Sequence, residues 1–262
     1  MKVRITQLFT LVLLGLTVVI TSCEAPKAFP CEKGVGERVT EERGLDPFTK
    51  IVLDAPADVY ITEGAVFNVS ITGQENVLET IETVVASEML EISNNRCIRQ
   101  SKTIEINITV PSLSLIEVKG SGDVYGMNRF SADMMELVVS GSGSIEWTTD
   151  ANTINTEIRG SGDIVLTTSA NEISSKLLGS GDLKVAGDAV VHHINVDAAG
   201  SVAGFELETG ETHINIAGSG NCEVNVADQL GVKIVGAGSV YYKGNPSVNV
   251  NITGSGKLVD AN

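Results

Sequence analysis

The chain has 262 residues, of which 42% are hydrophobic and 4% aromatic, and its formal net charge is -15 at pH 7. A surface this acidic argues against nucleic-acid binding, which requires a basic stripe, and against peripheral docking on anionic lipid. Val, Ile and Thr are abundant and no long helical pattern is present, so the sequence predicts an all-β protein.

Residues 1–22 have the features of a secretory signal peptide. Lys2 and Arg4 give it a charged start, and the apolar run over residues 8–20 is too short to span a bilayer comfortably. The run ends in Ile20-Thr21-Ser22-Cys23, which resembles a bacterial lipobox. The resemblance implies that Cys23 becomes the lipidated mature N-terminus.

An ordinary secretory signal that happens to end in Cys is the alternative. Glu24 follows Cys23, where enteric bacteria use Asp as the inner-membrane retention signal, so we expect an outer-membrane lipoprotein in the cell envelope. Residues 23–44 are rich in Pro, Gly and charged side chains, a composition that suits a tether between the lipid and the folded part.

The β pattern begins at residue 45. The pattern over residues 45–119 predicts irregular coils, which belong to one domain that extends to residue 262. Asp58-Val59-Tyr60 has the same register as Asp123-Val124-Tyr125. Further coils are expected at Gly73 and near Asn94, which gives about eleven coils when the regular repeats that follow are included.

Residues 120–262 contain a four-residue motif of the form Gly-Ser-Gly-Asp that recurs at steps of 18 to 21 residues. Self-similarity at this period is typical of a solenoid, in which each repeat is one coil that buries its apolar face against its neighbours. The motif glycines, which we predict to be structural, are Gly120, Gly122, Gly141, Gly143, Gly160, Gly162, Gly179, Gly181, Gly218, Gly220, Gly236, Gly238, Gly254 and Gly256.

Apolar residues flank every copy of the motif at two fixed positions and alternate with polar neighbours at the strand period of two. The pattern predicts a right-handed parallel β-helix, or β-solenoid, with about 18 to 21 residues per coil and coils about 4.8 Å apart. The flanking residues are Val118, Val139, Ile158, Leu177, Val196, Ile216, Ile234 and Ile252 before the motif, and Val124, Ile145, Ile164, Leu183, Val202, Cys222, Val240 and Leu258 after it.

Within the motif, the same alternation directs both glycines inward and the fourth residue outward. Glycine permits a sharp turn with positive φ or a close approach of the backbone to the next coil. Turn-like residues at 149–152 and 168–171 predict a second corner in each coil. The fourth residues, which should form a ladder of hydrogen bonds on the outside, are Asp123, Ser144, Asp163, Asp182, Ser201, Asn221 and Ser239.

The lipoprotein start, the opening Phe48…Ile51…Asp58-Val59-Tyr60-Ile61 and the motif repeats together resemble the putative auto-transporter adhesin head GIN domain family, which is common in Bacteroidetes. The resemblance covers residues 45–262 and implies a β-helix-like fold. It also implies an adhesin-like role, because the family name describes its members as adhesins.

Two metal hypotheses follow from the repeats. Calcium is one, because Gly/Asp corners bind it in other β-rolls, but one carboxylate per coil falls short of the six to eight oxygens that calcium takes. The second is a site at His193 and His213, which share one repeat position and are expected to stack on adjacent coils. No third ligand is evident there. We therefore expect structural ladders, solvent-facing histidines and no metal or other cofactor.

The four cysteines divide by position. Cys23 is the lipidation site, and Cys222 occupies an inward repeat position, so it should be a buried free thiol. Cys31 and Cys97 remain, and an oxidising envelope compartment permits a disulfide between them.

No catalytic motif is recognisable, so no catalytic residue is assigned. We expect a non-catalytic envelope or surface lipoprotein that is bound to the membrane through its lipid and serves as a binding module for a glycan or a protein. A polysaccharide-active β-helix enzyme is one alternative, since fold does not fix function. The other is a structural envelope protein that self-associates through an exposed edge at its last coil.

Overall fold

Parallel strands stacked in register along one axis make up most of the chain. The computed structural model describes residues 31–99 and 101–262. The predicted signal peptide, the predicted lipidation site Cys23 and the first part of the predicted tether lie outside the described residues. The described chain is nearly all β and forms a parallel β-solenoid of about eight turns, which confirms the predicted fold class.

The first part of the solenoid consists of short strands and one helical turn. Its elements are β1 (Glu32–Lys33), β2 (Arg38–Glu42), β3 (Lys50–Asp54), β4 (Ala57–Glu63), β5 (Asn68–Gln74), α1 (Glu75–Leu78), β6 (Ile81–Ala86), β7 (Met89–Asn94), β8 (Ile98–Arg99), β9 (Ile104–Val110), β10 (Leu115–Val118) and β11 (Asp123–Gly126).

These strands do not stack in chain order. We call the two strands of one coil a rung. The β3–β4 rung lies between the β7–β9 rung on one side and the β10–β11 rung on the other. Antiparallel β5 then covers β9, and β2 covers β5, so this end of the solenoid is closed.

Two expectations for residues 45–119 therefore need correction. The coil expected at Gly73 is replaced by antiparallel pairs, because β5 pairs with β9 and β6 with β7. The coil expected near Asn94 does form, but it stacks on the far side of β3–β4. Alternation of period two is common to parallel and antiparallel strands, so the pattern could not separate them, and eleven coils was too high a number.

The regular part is built from long strands that contribute to two faces of a coil. They pair in parallel at the predicted offsets, with Ile145 opposite Ile164 and Leu183 opposite Val202. The strands are β12 (Phe130–Val139), β13 (Ile145–Ile158), β14 (Ile164–Leu177), β15 (Leu183–Val196), β16 (Val202–Ile216), β17 (Cys222–Gly236), β18 (Ser239–Lys243), β19 (Ser247–Gly254) and β20 (Lys257–Asp260).

Residues 31–44, which the sequence assigned to the tether, belong to the folded domain. β2 pairs antiparallel with β5, and β1 pairs with β8. The compact unit begins at Cys31, so the predicted boundary at residue 45 is too late. Because β2 is a half-exposed strand without strict apolar alternation, its sequence gave no strand signal.

The core is the column of inward aliphatic side chains that the flanking positions predicted. All of these positions are buried except Ile252 and Leu258, which lie in the last rung. Phe130 and Trp147 pack beside this column, with ring centroids 4.3 Å apart and planes tilted by 31°. Burying this apolar column is the main stabilising contribution, because one coil alone leaves its inner face in water.

In β13 to β17 the second corner of the coil lies inside a continuous strand. Ala151 and Ile154 both point inward although they are three positions apart, an odd number, so the alternation changes phase at Asn152. The same phase change occurs at Asn171, and the two asparagines are skipped in the pairing of β13 with β14. Asn171 Nδ2 donates to Asn152 Oδ1 at 2.7 Å, which joins the two corners.

The motif corner requires glycine chiefly for space. A Cβ atom on Gly162 would overlap the carbonyl oxygen of Gly143, and one on Gly181 would overlap that of Gly162. The second glycine of each motif from Gly122 to Gly238 is buried, whereas the first is half-buried. Among the motif glycines in the described structure, φ is positive only at Gly236 and Gly254. The close backbone approach, and not positive φ, is the general reason for glycine here.

Candidate functional site

The fourth motif residues form the outer ladder at the corner of the solenoid. Asp163 Oδ1 accepts the backbone N–H of Asp182 at 2.7 Å, and Asp182 Oδ1 accepts that of Ser201 at 2.7 Å. Each of these side chains is thereby bonded to the coil that follows. Among residues 31–99 and 101–262, no group of three or more His, Cys, Asp or Glu side chains is arranged to hold a metal ion.

The three histidines fall into two environments. The rings of His193 and His213 stack on adjacent coils, with centroids 5.2 Å apart and planes 14° from parallel. Their Nε2 atoms lie 3.9 Å from Glu172 Oε1 and 3.7 Å from Glu211 Oε2, respectively. Both histidines are partly exposed, as neighbours on an outward ladder should be.

His192, by contrast, is enclosed in the core. Burial, with a smaller contribution from the charge of His193, lowers its pKa to about 3. Its Nε2 lies 2.9 Å from Ser175 Oγ, which also accepts a hydrogen bond from Thr156 Oγ1 at 2.9 Å. Strand alternation directs the side chains of His192 and His193 to opposite faces, but it does not reveal the hydrogen-bond partners of His192 in the core.

The structure joins Cys31 and Cys97 in a disulfide. The bond lies where β1 pairs with β8, and Asn76 Nδ2 adds a hydrogen bond to Glu32 Oε1 at 2.7 Å. Cys222 is a buried free cysteine, and burial raises the pKa of its thiol to about 12. A thiol with so high a pKa is a poor nucleophile.

A carboxylate pair that sequence reasoning missed lies on the outer face near the closed end. Asp58 and Asp123 are direct cross-strand partners on β4 and β11. Burial, and then the charges of Asp123 and Glu105, raise the pKa of Asp58. The shared register of the two segments was visible in the sequence, but their separation of 65 positions concealed that they are adjacent.

Beside these carboxylates, Tyr60 and Tyr125 stack with ring centroids 5.3 Å apart. Glu105 is held from the other side by Arg38, whose Nη2 lies 2.9 Å from Glu105 Oε1. The stacked rings face each other along the solenoid axis, so they present edges and hydroxyl groups to solvent.

Several depressions mark the surface of the described residues. A groove of about 540 Å³ runs along the second corner, and its floor is a row of cross-strand alanines, Ala132, Ala151, Ala170 and Ala189. An apolar pocket of about 220 Å³ near the closed end is lined by Phe48 and Phe67. A third depression, of about 380 Å³, is lined by Asp182, Ser201, Val202, Ala203, Asn221, Glu223 and Tyr241.

Within the part of the chain that the structure describes, no helix has the length and apolar character to cross a membrane. Fold and surface together define a class of protein, namely an elongated β-solenoid with repeated polar side chains on its outer faces. Solenoids of this kind use such extended faces for binding.

Comparison with known families assigns the chain more narrowly. The family model "Putative auto-transporter adhesin, head GIN domain" matches residues 47–173 and 150–246. The chain therefore belongs to this family, whose description is that of cell-surface or envelope proteins. The two matched segments overlap, as a repeating chain permits. No curated protein gives a significant match.

Several solved structures share the fold. A putative lipid binding protein from Parabacteroides distasonis ATCC 8503 is 25% identical, with a TM-score of 0.82 over 87% of this chain and 99% of that one. A putative adhesin from the same organism is 19% identical, with a TM-score of 0.82 over 86% and 98% of the two chains. A putative adhesin from Parabacteroides merdae ATCC 43184 is also 19% identical, with a TM-score of 0.82 over 87% and 99%.

Proposed function

We propose that the chain is a non-catalytic, outer-membrane lipoprotein that displays the side of its solenoid to a glycan or protein partner. The observation that carries the proposal is the outer face itself. Successive coils from β12 to β18 stay in parallel pairing, so outward side chains recur along the axis at the strand spacing of about 4.8 Å. A rigid, repetitive face of this kind suits an extended partner.

Family membership supports the adhesin-like role, and the sequence before Cys31 supports the anchor. The lipobox-like Ile20-Thr21-Ser22-Cys23 would attach the chain to the membrane, and residues 24–30 would separate the anchor from the folded domain. Mass spectrometry of the mature N-terminus tests the anchor. Acylated Cys23 supports it, and an unacylated start at another residue contradicts it.

The binding role is tested with the folded domain on a glycan array and in a pull-down from envelope extracts. We expect retention of at least one glycan or protein class, in a manner that substitutions on the outer face abolish. Absence of any retained partner in both experiments would contradict the proposal. A polysaccharide activity screen run alongside tests the enzymatic alternative; Asp58 and Asp123 lie on none of the three depressions described above.

A second candidate function, self-association, is favoured by the last rung. Val248, Val250 and Ile252 on β19 are 41%, 46% and 37% exposed, although the equivalent residues of β17, Leu230, Val232 and Ile234, are buried. In the described structure β19 pairs on one side only, with β17. Its outward residues carry no charge, and an uncharged edge strand invites pairing with another strand.

A further inference from the structure

The third depression arises because small side chains interrupt two outward ladders at the same coil. On one ladder Lys184, Ala203, Glu223 and Tyr241 are successive cross-strand partners, so Ala203 is a gap between longer side chains. The neighbouring ladder is the outer ladder of fourth motif residues, which we call the corner ladder, and on it Ser201 lies between Asp182 and Asn221. The two gaps merge into the depression of about 380 Å³, a volume typical of small-molecule sites.

The corner ladder orients the polar groups that line this depression. Asp182 Oδ1 is occupied by the backbone N–H of Ser201 at 2.7 Å, which leaves Oδ2 as an acceptor. Asn221 Oδ1 accepts the backbone N–H of Ser239 at 2.9 Å, which directs its NH₂ group outward as a donor. An acceptor and a donor are therefore fixed in place before any ligand arrives, which lowers the entropic cost of binding.

Two further side chains complete the lining. Glu223 contributes a carboxylate, and Tyr241 contributes an aromatic ring that is 37% exposed. Lys184 does not line the depression, and neither does any other basic residue of the described chain. An anionic ligand would meet Asp182 and Glu223 without a compensating positive charge, so it is disfavoured.

We propose that this depression binds one residue of a neutral sugar. A pyranose offers hydroxyl groups that donate to Asp182 and Glu223 and accept from Asn221, and it has an apolar C–H face that can pack on Tyr241. The inference rests on the proposed binding function and adds to it a ligand class and a location. Sugars that carry carboxylate or sulfate groups are excluded by the same chemistry.

Three substitutions test the site with the folded domain, using saturation-transfer NMR and titration against neutral and acidic oligosaccharides. Ala203→Glu fills the depression with the side chain that the next rung already carries at this position, so the fold should tolerate it. Asn221→Asp keeps an acceptor for Ser239 and replaces the donor by a charge. Tyr241→Ala removes the aromatic ring. Each should weaken neutral-sugar binding by about tenfold or more.

Val165→Ala is the matched control, because Val165 is 37% exposed on the same ladder, two rungs before Ala203, and does not line the depression. It should leave affinity unchanged. If a glycan binds and Ala203→Glu does not weaken it while thermal unfolding is unaltered, the site assignment is wrong and the binding function stands. Preference for acidic or amino sugars, or binding of proteins alone, also overturns the assignment. If neither glycan nor protein binds, the proposed function fails as well.

Discussion

At the scale of single residues, the glycines and the aspartates of one motif do different work. The glycines leave room for the backbone of the neighbouring coil, whereas the fourth residues of the motif add one hydrogen bond per coil at the protein surface. These roles predict that substitutions at the two kinds of position lower the free energy of unfolding by very different amounts.

Gly162→Val should lower the free energy of unfolding by about 3 kcal/mol or more, because its side chain would overlap the carbonyl of Gly143. Asp163→Ala should cost about 1 kcal/mol or less, since it removes one exposed hydrogen bond to Asp182. Urea unfolding measures both. Ser161→Val, next to Gly162 but exposed, is the control and should be near neutral. A larger cost for Asp163→Ala than for Gly162→Val would refute the inward position of the glycine.

His192 should make stability depend on pH. The pKa of His192 is about 3 in the folded chain and 6.5 in the unfolded chain. Between these values His192 is therefore protonated in the unfolded state and neutral in the folded state. The contribution is fully present above pH 6.5 and is lost as the pH falls, by about 2 kcal/mol near pH 5.

Urea unfolding of the wild type and of His192→Gln, at about pH 7.5 and about pH 5, isolates this contribution because the carboxylates titrate alike in both. Gln cannot titrate but can still bond Ser175. The wild type should lose about 2 kcal/mol more than the variant over this range. Equal losses would show that His192 takes up its proton in the folded state.

At the scale of elements, the sequence predicted the strands, corners and coil offsets best where the repeat is strict. The flanking aliphatics of β13 to β17, the motif corners and the coil offsets all follow from alternation and spacing. The early strands could not be ordered in this way, since the neighbours of β3 are set by long-range pairing across 65 residues. The carboxylate pair of Asp58 and Asp123 was missed for the same reason, because it depends on which coils are adjacent. The depression beside Tyr241 lies between coils whose order the repeat predicts, and it was missed because its volume depends on how the side chains of two neighbouring ladders pack.

The Cys31–Cys97 disulfide should fasten the first described residues to the edge formed by β8. Peptide mapping without reduction should recover Cys31 and Cys97 in one linked fragment. Cys222 should resist alkylation until the chain is unfolded, because its thiol is buried. Free thiols at both Cys31 and Cys97, in protein secreted to an oxidising compartment, would rule the disulfide out.

At the scale of the whole molecule, the two ends of the solenoid differ. One is closed by antiparallel β5 and β2, whereas β19 leaves apolar side chains and an unpaired edge in the described structure. Antiparallel pairing of two β19 strands about Val250 would set Val248 opposite Ile252 and bring no like charges together.

If this edge associates, light scattering should show dimers of residues 31–262 at micromolar concentration. Val250→Lys should return them to monomers, while Val235→Lys, which places the same charge at an exposed position on β17, should not. A monomeric wild type would dismiss the self-association candidate and leave the binding function untouched.

Product analysis of a bound glycan distinguishes an outer face that only binds its partner from one that converts it. A glycan retained by the folded domain is incubated with it, recovered and examined by mass spectrometry. We expect the glycan to be recovered at its original length and linkage. A shortened or modified glycan, whose formation a single carboxylate substitution such as Asp58→Asn or Asp123→Asn abolishes, would contradict this expectation and establish an enzyme.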